Sequence, residues 1–413
     1  MSSPPPLADA LDVLLRFGAL MLRSGEAAFR AHDDMHALAP RLGITDFALS
    51  ITVTTLTATA RRGAEQVTLV RHVGPLGINA WRLGVLERLA QQGPASLAPD
   101  ALAAELDALE RAPPLHPIAV TAAAVGLASG AFAWLNGGNL AEVLAAFVAG
   151  ALGQGLRQSL LGRRLNQYAV TAFCGVAAAA FYSVAAAALT RLGLAPGHGI
   201  GVIAAALFLV PGFPLVAALL DLLQHQIPAA LVRLAYGATL LLAAAGGLGV
   251  MVALTHFTPP APHPPAADLP ITLLLRAVAS FIGGCGFAVL YNTAWRPVLA
   301  VGVLAVIGNE LRLALQDAGT SQAVATFAGA LAVGLQASIL RLRVHEPRIA
   351  LTVPGIIIMV PGGTAFDSFV LLSRGDVTGG LQAAVVVGFV VGAMALGLAV
   401  ARFASERKWL FEA

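Results

Sequence analysis

A chain of 413 residues that is 58% hydrophobic and only 11% charged lies outside the composition of soluble domains, in which about a quarter of residues are charged. The net charge of +3 comes from arginines, Lys408 being the only lysine, and it requires no nucleic-acid partner. Cys174 and Cys285 each fall inside an apolar run, so neither a disulfide framework nor a cysteine metal site is indicated.

Residues 1–116 are ordinary in polarity. The opening MSSPPPLADALD lacks the basic start and short apolar core of a cleavable signal peptide, so none is expected. Leu7, Leu11, Leu14, Leu15, Gly18 and Leu22 recur at helical spacing, with Asp12, Arg16 and Arg23 on the other side. A second helix is predicted from about Gly25 to Leu42, ending before Gly43. Phe47, Leu49, Ile51 and Val53 alternate with Ala48, Ser50, Thr52 and Thr54, the pattern of a half-buried strand. Arg61–Ala64 then turns into a second strand with Val67 and Leu69 inward, and helices follow near Ile78–Gln91 and Pro99–Arg111. This is a small α+β module.

Its most chemical-looking stretch is RAHDDMH, which sets His32 and His36 one helical turn apart with Asp33 and Asp34 between them. Such a pair binds a metal when a third ligand converges on it. No further ligand motif accompanies it, so the expectation is a solvated helix face, with no metal and no other cofactor. The chain has no P-loop, G-x-S-x-G or H-E-x-x-H, and no catalytic residue is assigned.

From Pro117 onward come apolar runs of the length that crosses a bilayer core, about 20 residues per helix. Spans are predicted near 118–135, 139–161, 168–190, 199–222 and 228–255. The proline-rich THFTPPAPHPPAADLP intervenes as an extracytoplasmic linker, and a second set follows near 271–291, 297–317, 322–341, 349–372 and 379–403. Basic residues favour the cytoplasmic side. Arg111, Arg163, Arg164, Arg296, Arg341, Arg343, Arg348, Arg402, Arg407 and Lys408 fall on one face, against Arg191 and Arg374 on the other. Both termini are therefore expected in the cytoplasm.

The two sets align. GQGLRQSLL at Gly153–Leu161 matches GNELRLALQ at Gly308–Gln316, and FAWL at Phe132 matches FAVL at Phe287, both at an offset of 308 − 153 = 155. Val-Pro-Gly recurs at 210–212 and 360–362. Five is odd, so the second set enters the membrane from the opposite side, and the repeats are inverted as in many secondary transporters. The predicted fold is an all-α membrane domain of ten helices in two inverted five-helix repeats (117–255 and 271–413, joined by 256–270), preceded by the α+β domain at 1–116.

A proline inside a helix costs roughly 3 kcal/mol, and here the cost recurs at matching places. Pro211 should free the carbonyl of Leu207, and Pro361 that of Ile357. With Gly212, Gly362 and Gly363 beside them, two broken helices would line one central cavity. Simple proline kinks with a packing role are the alternative.

Ionisable residues at membrane depth are rare and usually face a cavity or a partner. Arg157, Asp221, Arg233, Arg276, Glu310, Arg312 and Asp367 fall within spans. Arg233, Arg276 and Asp221 lie near span ends, where arginine snorkels; Glu310 and Asp367 lie further in. Gln154, Asn309, Thr364 and Ser368 add neutral hydrogen-bonding groups nearby in sequence. A zwitterionic amino acid needs an anion-binding helix end or arginine, a carboxylate for its amine, and hydroxyl or amide groups for a polar side chain. The chain has all three kinds. Candidate substrate-binding residues are Pro211, Gly212, Pro361, Gly362, Gly363, Thr364, Gln154 and Asn309. Asp367 and Glu310 are the proton-coupling candidates; the alternative for them is a static ion pair with Arg157 or Arg276.

LLRFGALMLRSGEAAFRAHDDM, the strand pair, GINAWRLGVLERL and the two five-span sets together resemble the bacterial threonine/serine exporter family over nearly the full chain. LRSGEAAFR is the most specific piece, with Ser24, Gly25 and Arg30 on that family's signature; His32 stands where the family pattern has an acidic residue. The resemblance implies export of L-threonine and L-serine driven by the proton motive force. It also implies a multi-pass protein of the bacterial inner membrane and a cytoplasmic N-terminal domain of undefined role, suspected of hydrolase-like activity. The expected partners are an amino-acid substrate, protons and the lipid bilayer. Glycine-rich spans such as GGLGV at Gly246 permit a homo-oligomer. A membrane-anchored enzyme with its chemistry in residues 1–116 is the competing reading, and an uncoupled channel a third.

Overall fold

The computed structural model describes residues 6–92, 94, 96–194, 200–255, 269–344 and 346–406. Residues 256–268 of the linker predicted at 256–270, and Arg407 and Lys408, lie outside the described residues. The chain divides into two units. One comprises Met1–Leu115 together with Ala217–Ala235 and His345–Ala350; the other comprises His116–Val216, Tyr236–Val344 and Leu351–Ala413.

The first unit starts with α1 (Leu7–Arg23), whose apolar stripe is fully enclosed. α2 (Ala28–Leu38) follows and tightens into a 3-10 turn over Ala39–Leu42. Gly43 ends it at φ 75°, a left-handed conformation natural for glycine after a helix. α2 begins three residues later than the periodicity predicts, because Ser24, Gly25 and Glu26 fold back on the end of α1, with Glu26 N donating to Met21 O at 3.1 Å.

The sheet differs from expectation: it has three antiparallel strands in sequence order, β1 (Asp46–Thr52), β2 (Thr55–Arg62) and β3 (Glu65–His72). The extra strand lies in Thr55–Arg62, where small alanines hide the alternation. Leu56, Ala58 and Ala60 are buried and pair with Ile51, Leu49 and Phe47 respectively. The small side chains of Ala58 and Ala60 let α1 close on that face, and Leu56 joins the core around Leu14, Phe17 and Met21. Val67 and Leu69 pack against this core as expected. α3 (Ala80–Gln91), N-capped by Asn79, and α4 (Pro99–Arg111) complete the module. Ala229 belongs to the same core.

The second unit is helical, and three of its helices have residues in the first unit, at Ala217–Leu223, Ile227–Ala235 and Arg348–Ala350. α5 (Ile118–Leu135), α6 (Leu140–Gly162), α7 (Gln167–Arg191), α8 (Ile200–Ala205), α9 (Gly212–Leu223) and α10 (Ile227–Thr255) come before the linker. α11 (Leu269–Leu290), α12 (Trp295–Asp317), α13 (Gln322–Val344), α14 (Arg348–Ile356), α15 (Gly362–Ser373) and α16 (Val377–Ser405) come after it. Among the described residues, eight of these helices are long and apolar enough to cross a membrane: α5, α6, α7, α10, α11, α12, α13 and α16. α14 and α15, bent by 55° at their break, count as a ninth if taken together. Small residues bring the helices close. A Cβ on Gly247 would stand 2.1 Å from the carbonyl oxygen of Ala172, so α10 and α7 meet backbone to backbone, as glycine allows between membrane helices.

Glu142, which the sequence reading leaves out, is fully buried at the start of α6. It forms a capping box with Asn139 and accepts the N–H of Ile200 at 3.1 Å. An anion at a helix start is favourable, so one carboxylate fixes the beginnings of both α6 and α8. The Asn-x-x-Glu spacing was its available signal.

Candidate functional site

The chain has three Val-Pro-Gly stretches; Val353–Gly355 lies inside α14, and the site grows from the other two, which share one backbone design. A short helix runs into a 3-10 turn, Leu207–Leu209 in one case and Ile357–Met359 in the other. Val210 (φ −69°, ψ 119°) and Val360 (φ −61°, ψ 130°) are then extended, the conformation a residue before proline prefers. A new helix starts at the glycine. Gly212 N donates to Val210 O at 2.9 Å, and Gly362 N to Val360 O at 2.8 Å.

One expectation is corrected here. The carbonyls of Leu207 and Ile357 are not left free by the prolines. They accept the N–H groups of Val210 (3.2 Å) and Val360 (3.1 Å), because the chain tightens to i→i+3 bonding where the proline interrupts i→i+4.

The breaks meet. A Cβ on Gly212 would lie 2.9 Å from Ile357 Cδ1, and one on Gly362 would lie 3.8 Å from Leu207 Cδ1. Each glycine therefore faces the 3-10 turn of the other break. Gly363 has open space where its side chain would be.

That space belongs to a cavity of about 180 Å³. Pro361, Gly362, Gly363, Thr364 and Asp367 line it from the second break, Arg312 from α12, Gln322 from the start of α13, and Asn136 from the end of α5. Asp367 Oδ1 is buried and has no hydrogen-bond partner among the described residues. Arg312 Nε donates to Asn309 Oδ1 at 2.9 Å, Asn309 Nδ2 donates to Ser280 Oγ at 2.8 Å, and Ser280 Oγ donates to the carbonyl of Arg276 at 2.7 Å. This relay holds the guanidinium through Nε, and its two terminal nitrogens make no hydrogen bond among the described residues.

The remaining candidates are placed elsewhere. Pro211 and Gly212 are buried beside the cavity but do not line it. The first break instead borders an apolar cavity of only about 30 Å³, with Val210, Leu241 and Phe366 among its walls. Asn309 stands behind Arg312 rather than in the cavity. Gln154 is buried, and its Oε1 has no hydrogen-bond partner among the described residues. Glu310 Oε1 is likewise buried without a hydrogen-bond partner, and Glu310 does not line the cavity. Ser368 turns away, its hydroxyl donating to Gly380 O at 2.7 Å. Arg276 pairs with Asp317 at 2.5 Å. Among the described residues, no ion pair joins Glu310 or Asp367 to Arg157 or Arg276. Arg312 is the site residue that the sequence reading did not select; its signal was the match of its LR dipeptide to that of Arg157.

The first unit holds a second polar group. Arg233 and Asp221 are both buried and face each other at 3.5 Å. Arg233 Nη2 donates to Glu26 O at 2.7 Å, and Asp221 Oδ1 accepts from Phe29 N at 3.3 Å. Arg233 therefore does not snorkel as expected. The pair instead satisfies the first turn of α2, where orphan N–H groups favour a carboxylate. Arg30 bonds Glu87 at 2.6 Å. Glu26 and Asp34 lie one turn to either side of Arg30. Burial pushes Glu26 up to about 7 and Asp34 up to about 6, against the pull of Arg30. Asp34 is thus not on a solvated face, and its Oδ1 accepts from Gln91 at 3.4 Å. The rings of His32 and His36 lie 4.3 Å apart between centroids with their planes tilted by 44°, and His36 is held below its ordinary pKa, chiefly by burial. No group of three or more His, Cys, Asp or Glu able to hold a metal occurs among the described residues.

Comparison with known proteins gives a consistent result. A family model described as "Putative threonine/serine exporter" matches residues 12–255, and one described as "Threonine/Serine exporter, ThrE" matches residues 276–404. A Mycobacterium tuberculosis protein described as "Probable threonine/serine exporter" is 27% identical over 388 residues, which cover 90% of this chain and 71% of that protein. No solved structure matches the chain.

Proposed function

The chain belongs to the threonine/serine exporter family, and from that premise we propose that it is a secondary active transporter exporting L-threonine and L-serine in exchange for protons. The observation that carries this reading is the polar cavity at the second break, which Asp367, Arg312 and Thr364 line inside an apolar helix bundle. Charged side chains at membrane depth are costly, and they mark cargo and ion paths. A volume of about 180 Å³ is below the roughly 300 Å³ where sites for drug-sized ligands begin, which suits a small amino acid.

In this reading Pro361, Gly362, Gly363 and Thr364 contact the cargo. Pro211 and Gly212 support the cavity through the first break, and Asn309 does so through Arg312. Gln154, the repeat counterpart of Asn309, serves the site when it faces the cytoplasm. Asp367 is the leading proton carrier because it lines the cavity, and Glu310 is the second candidate.

The proposed topology has ten crossings in two inverted repeats, 117–255 and 271–413, with residues 1–116 and both termini in the cytoplasm and 256–270 outside. The protein resides in the bacterial inner membrane. The arginine asymmetry and the matched geometry of the two breaks support this arrangement. It puts Asn136, Ile200 and Gln322 at the outer ends of their helices, so the cavity they border faces the extracytoplasmic side.

The test is transport in proteoliposomes loaded with a panel of labelled amino acids, with and without a pH gradient. L-threonine and L-serine should exit faster when the gradient is imposed. Asp367→Asn should abolish the gradient-driven mode and keep downhill exchange at reduced substrate affinity, whereas Glu310→Gln should keep both. Loss of neither mode in either variant removes the proton assignment, and absence of amino-acid flux under any gradient removes the transport reading.

A further inference from the structure

Arg312 and Asp367 line one cavity from different helices, and neither forms an ion pair among the described residues. Leaving a buried charge unpaired is expensive, and two opposite charges in one small space would ordinarily close on each other. Here they are held apart. The relay through Asn309 and Ser280 pulls the guanidinium toward α11, while Asp367 is fixed on α15, two turns after a proline break. A ligand that carries a negative and a positive charge a few bonds apart would satisfy both at once.

We propose that Arg312 and Asp367 are the two poles of a clamp for an α-amino acid zwitterion: the guanidinium takes the α-carboxylate, and the aspartate takes the α-ammonium in competition with a proton. The clamp rests on the transport reading above and names the chemistry that the cavity selects. Guanidinium and carboxylate match in a planar, two-bond geometry, and the relay leaves the terminal nitrogens of Arg312 for that purpose. Thr364, Gln322 and Asn136 remain for a side-chain hydroxyl.

The competition gives exchange its stoichiometric logic. When the ammonium leaves, Asp367 takes a proton from the water that the cavity faces, and the next cargo must displace that proton. No covalent bond forms or breaks. The surroundings of Asp367 allow this. α8, packed against α15, carries no charged residue, and α16 carries only Arg402, near its far end. The α15–α16 connection holds Arg374 and Asp376, and Asp376 Oδ1 already accepts from Gly379 N. Arg312 is the charged group that shares the cavity with Asp367.

The deciding experiment uses the full-length wild-type protein in nanodiscs and compares three ligands by calorimetry. They are L-threonine, L-threoninamide, which lacks the carboxylate, and 2,3-dihydroxybutyrate, which lacks the ammonium. Charge-assisted bonds are the stronger class, so L-threonine should bind roughly ten- to hundred-fold tighter than either analogue. Arg312→Gln should erase the preference over the amide alone. Asp367→Asn should erase the preference over the hydroxy acid and also remove the weakening of L-threonine binding as pH falls.

Equal binding of L-threonine and L-threoninamide by the wild-type protein, or a preference surviving in Arg312→Gln, overturns the clamp. Because the wild-type comparison needs no variant, a misfolded mutant does not blunt the test. Proteoliposomes that export threonine without this ligand pattern would leave the transporter standing and the clamp refuted. The ligand pattern without flux would leave the clamp standing and the transport reading refuted.

Discussion

Glu26 shows how a residue inside the LRSGEAAFR stretch can serve the fold before any chemistry. It is enclosed beside Arg30 at the start of α2, and burial raises its pKa from 4.5 to about 7. A folded-state value above the unfolded one means that the native state binds the proton more tightly. The stabilising contribution is then complete below about pH 4.5 and is lost as pH rises through about 7. Asp34, raised to about 6, acts in the same direction. The full-length protein should therefore melt at a lower temperature at pH 8 than at pH 5.5, and Glu26→Gln should reduce that difference. A Glu26→Gln protein with the wild-type pH dependence would show that this carboxyl is not the titrating group. The same lens explains what the sequence concealed: Asp221 and Arg233 look like span-end charges, and only the packing of residues 217–235 on α2 reveals them as partners for its first turn.

At the level of elements, the paired breaks were legible because proline and glycine act locally. Val-Pro-Gly at 210–212 and 360–362 marked both interruptions, although the same tripeptide at 353–355 stays inside α14, and Gly43 marked the end of α2. The helices were legible through length and apolarity. β2 was not, since Ala58 and Ala60 carry too little apolar surface to show an alternation. The site was half legible. Pro361, Gly362, Gly363, Thr364 and Asp367 lie together in sequence and in the cavity, but Arg312 reaches it through a tertiary approach of α12, of which the LR match to Arg157 was the one local trace. The two prolines should also differ in consequence. The second break borders the polar cavity, and the first borders a small apolar one. Pro361→Ala allows a helical bond to Ile357 O and straightens the segment, so L-threonine affinity should fall about ten-fold, which corresponds to about 1.4 kcal/mol. Pro211→Ala should cost less. Titration of L-threonine into both variants checks the order; unchanged affinity in each would make the prolines packing features.

For the whole molecule, the arginine asymmetry makes a claim about sides that labelling can check. Single cysteines at Gly138 and Gly375 should react with an impermeant thiol reagent applied to intact cells, and a cysteine at Gly162 should not. Reaction at Gly162 would reverse the proposed orientation. The reciprocal fit of the breaks has a further consequence. Gly212 faces Ile357 and Gly362 faces Leu207, so each half of the chain carries the counterpart of the other's irregular point. Neither half alone can bury its own, and each offers a template that the other recognises. The covalent tie between them is then dispensable for recognition. Residues 1–255 and 269–413, co-expressed as separate polypeptides, should find each other, co-purify and restore transport, while either fragment alone should be degraded. Replacing Gly212 with a bulky valine should weaken that reunion more than it weakens the unbroken chain, because tethering supplies a high effective concentration that two free fragments lack.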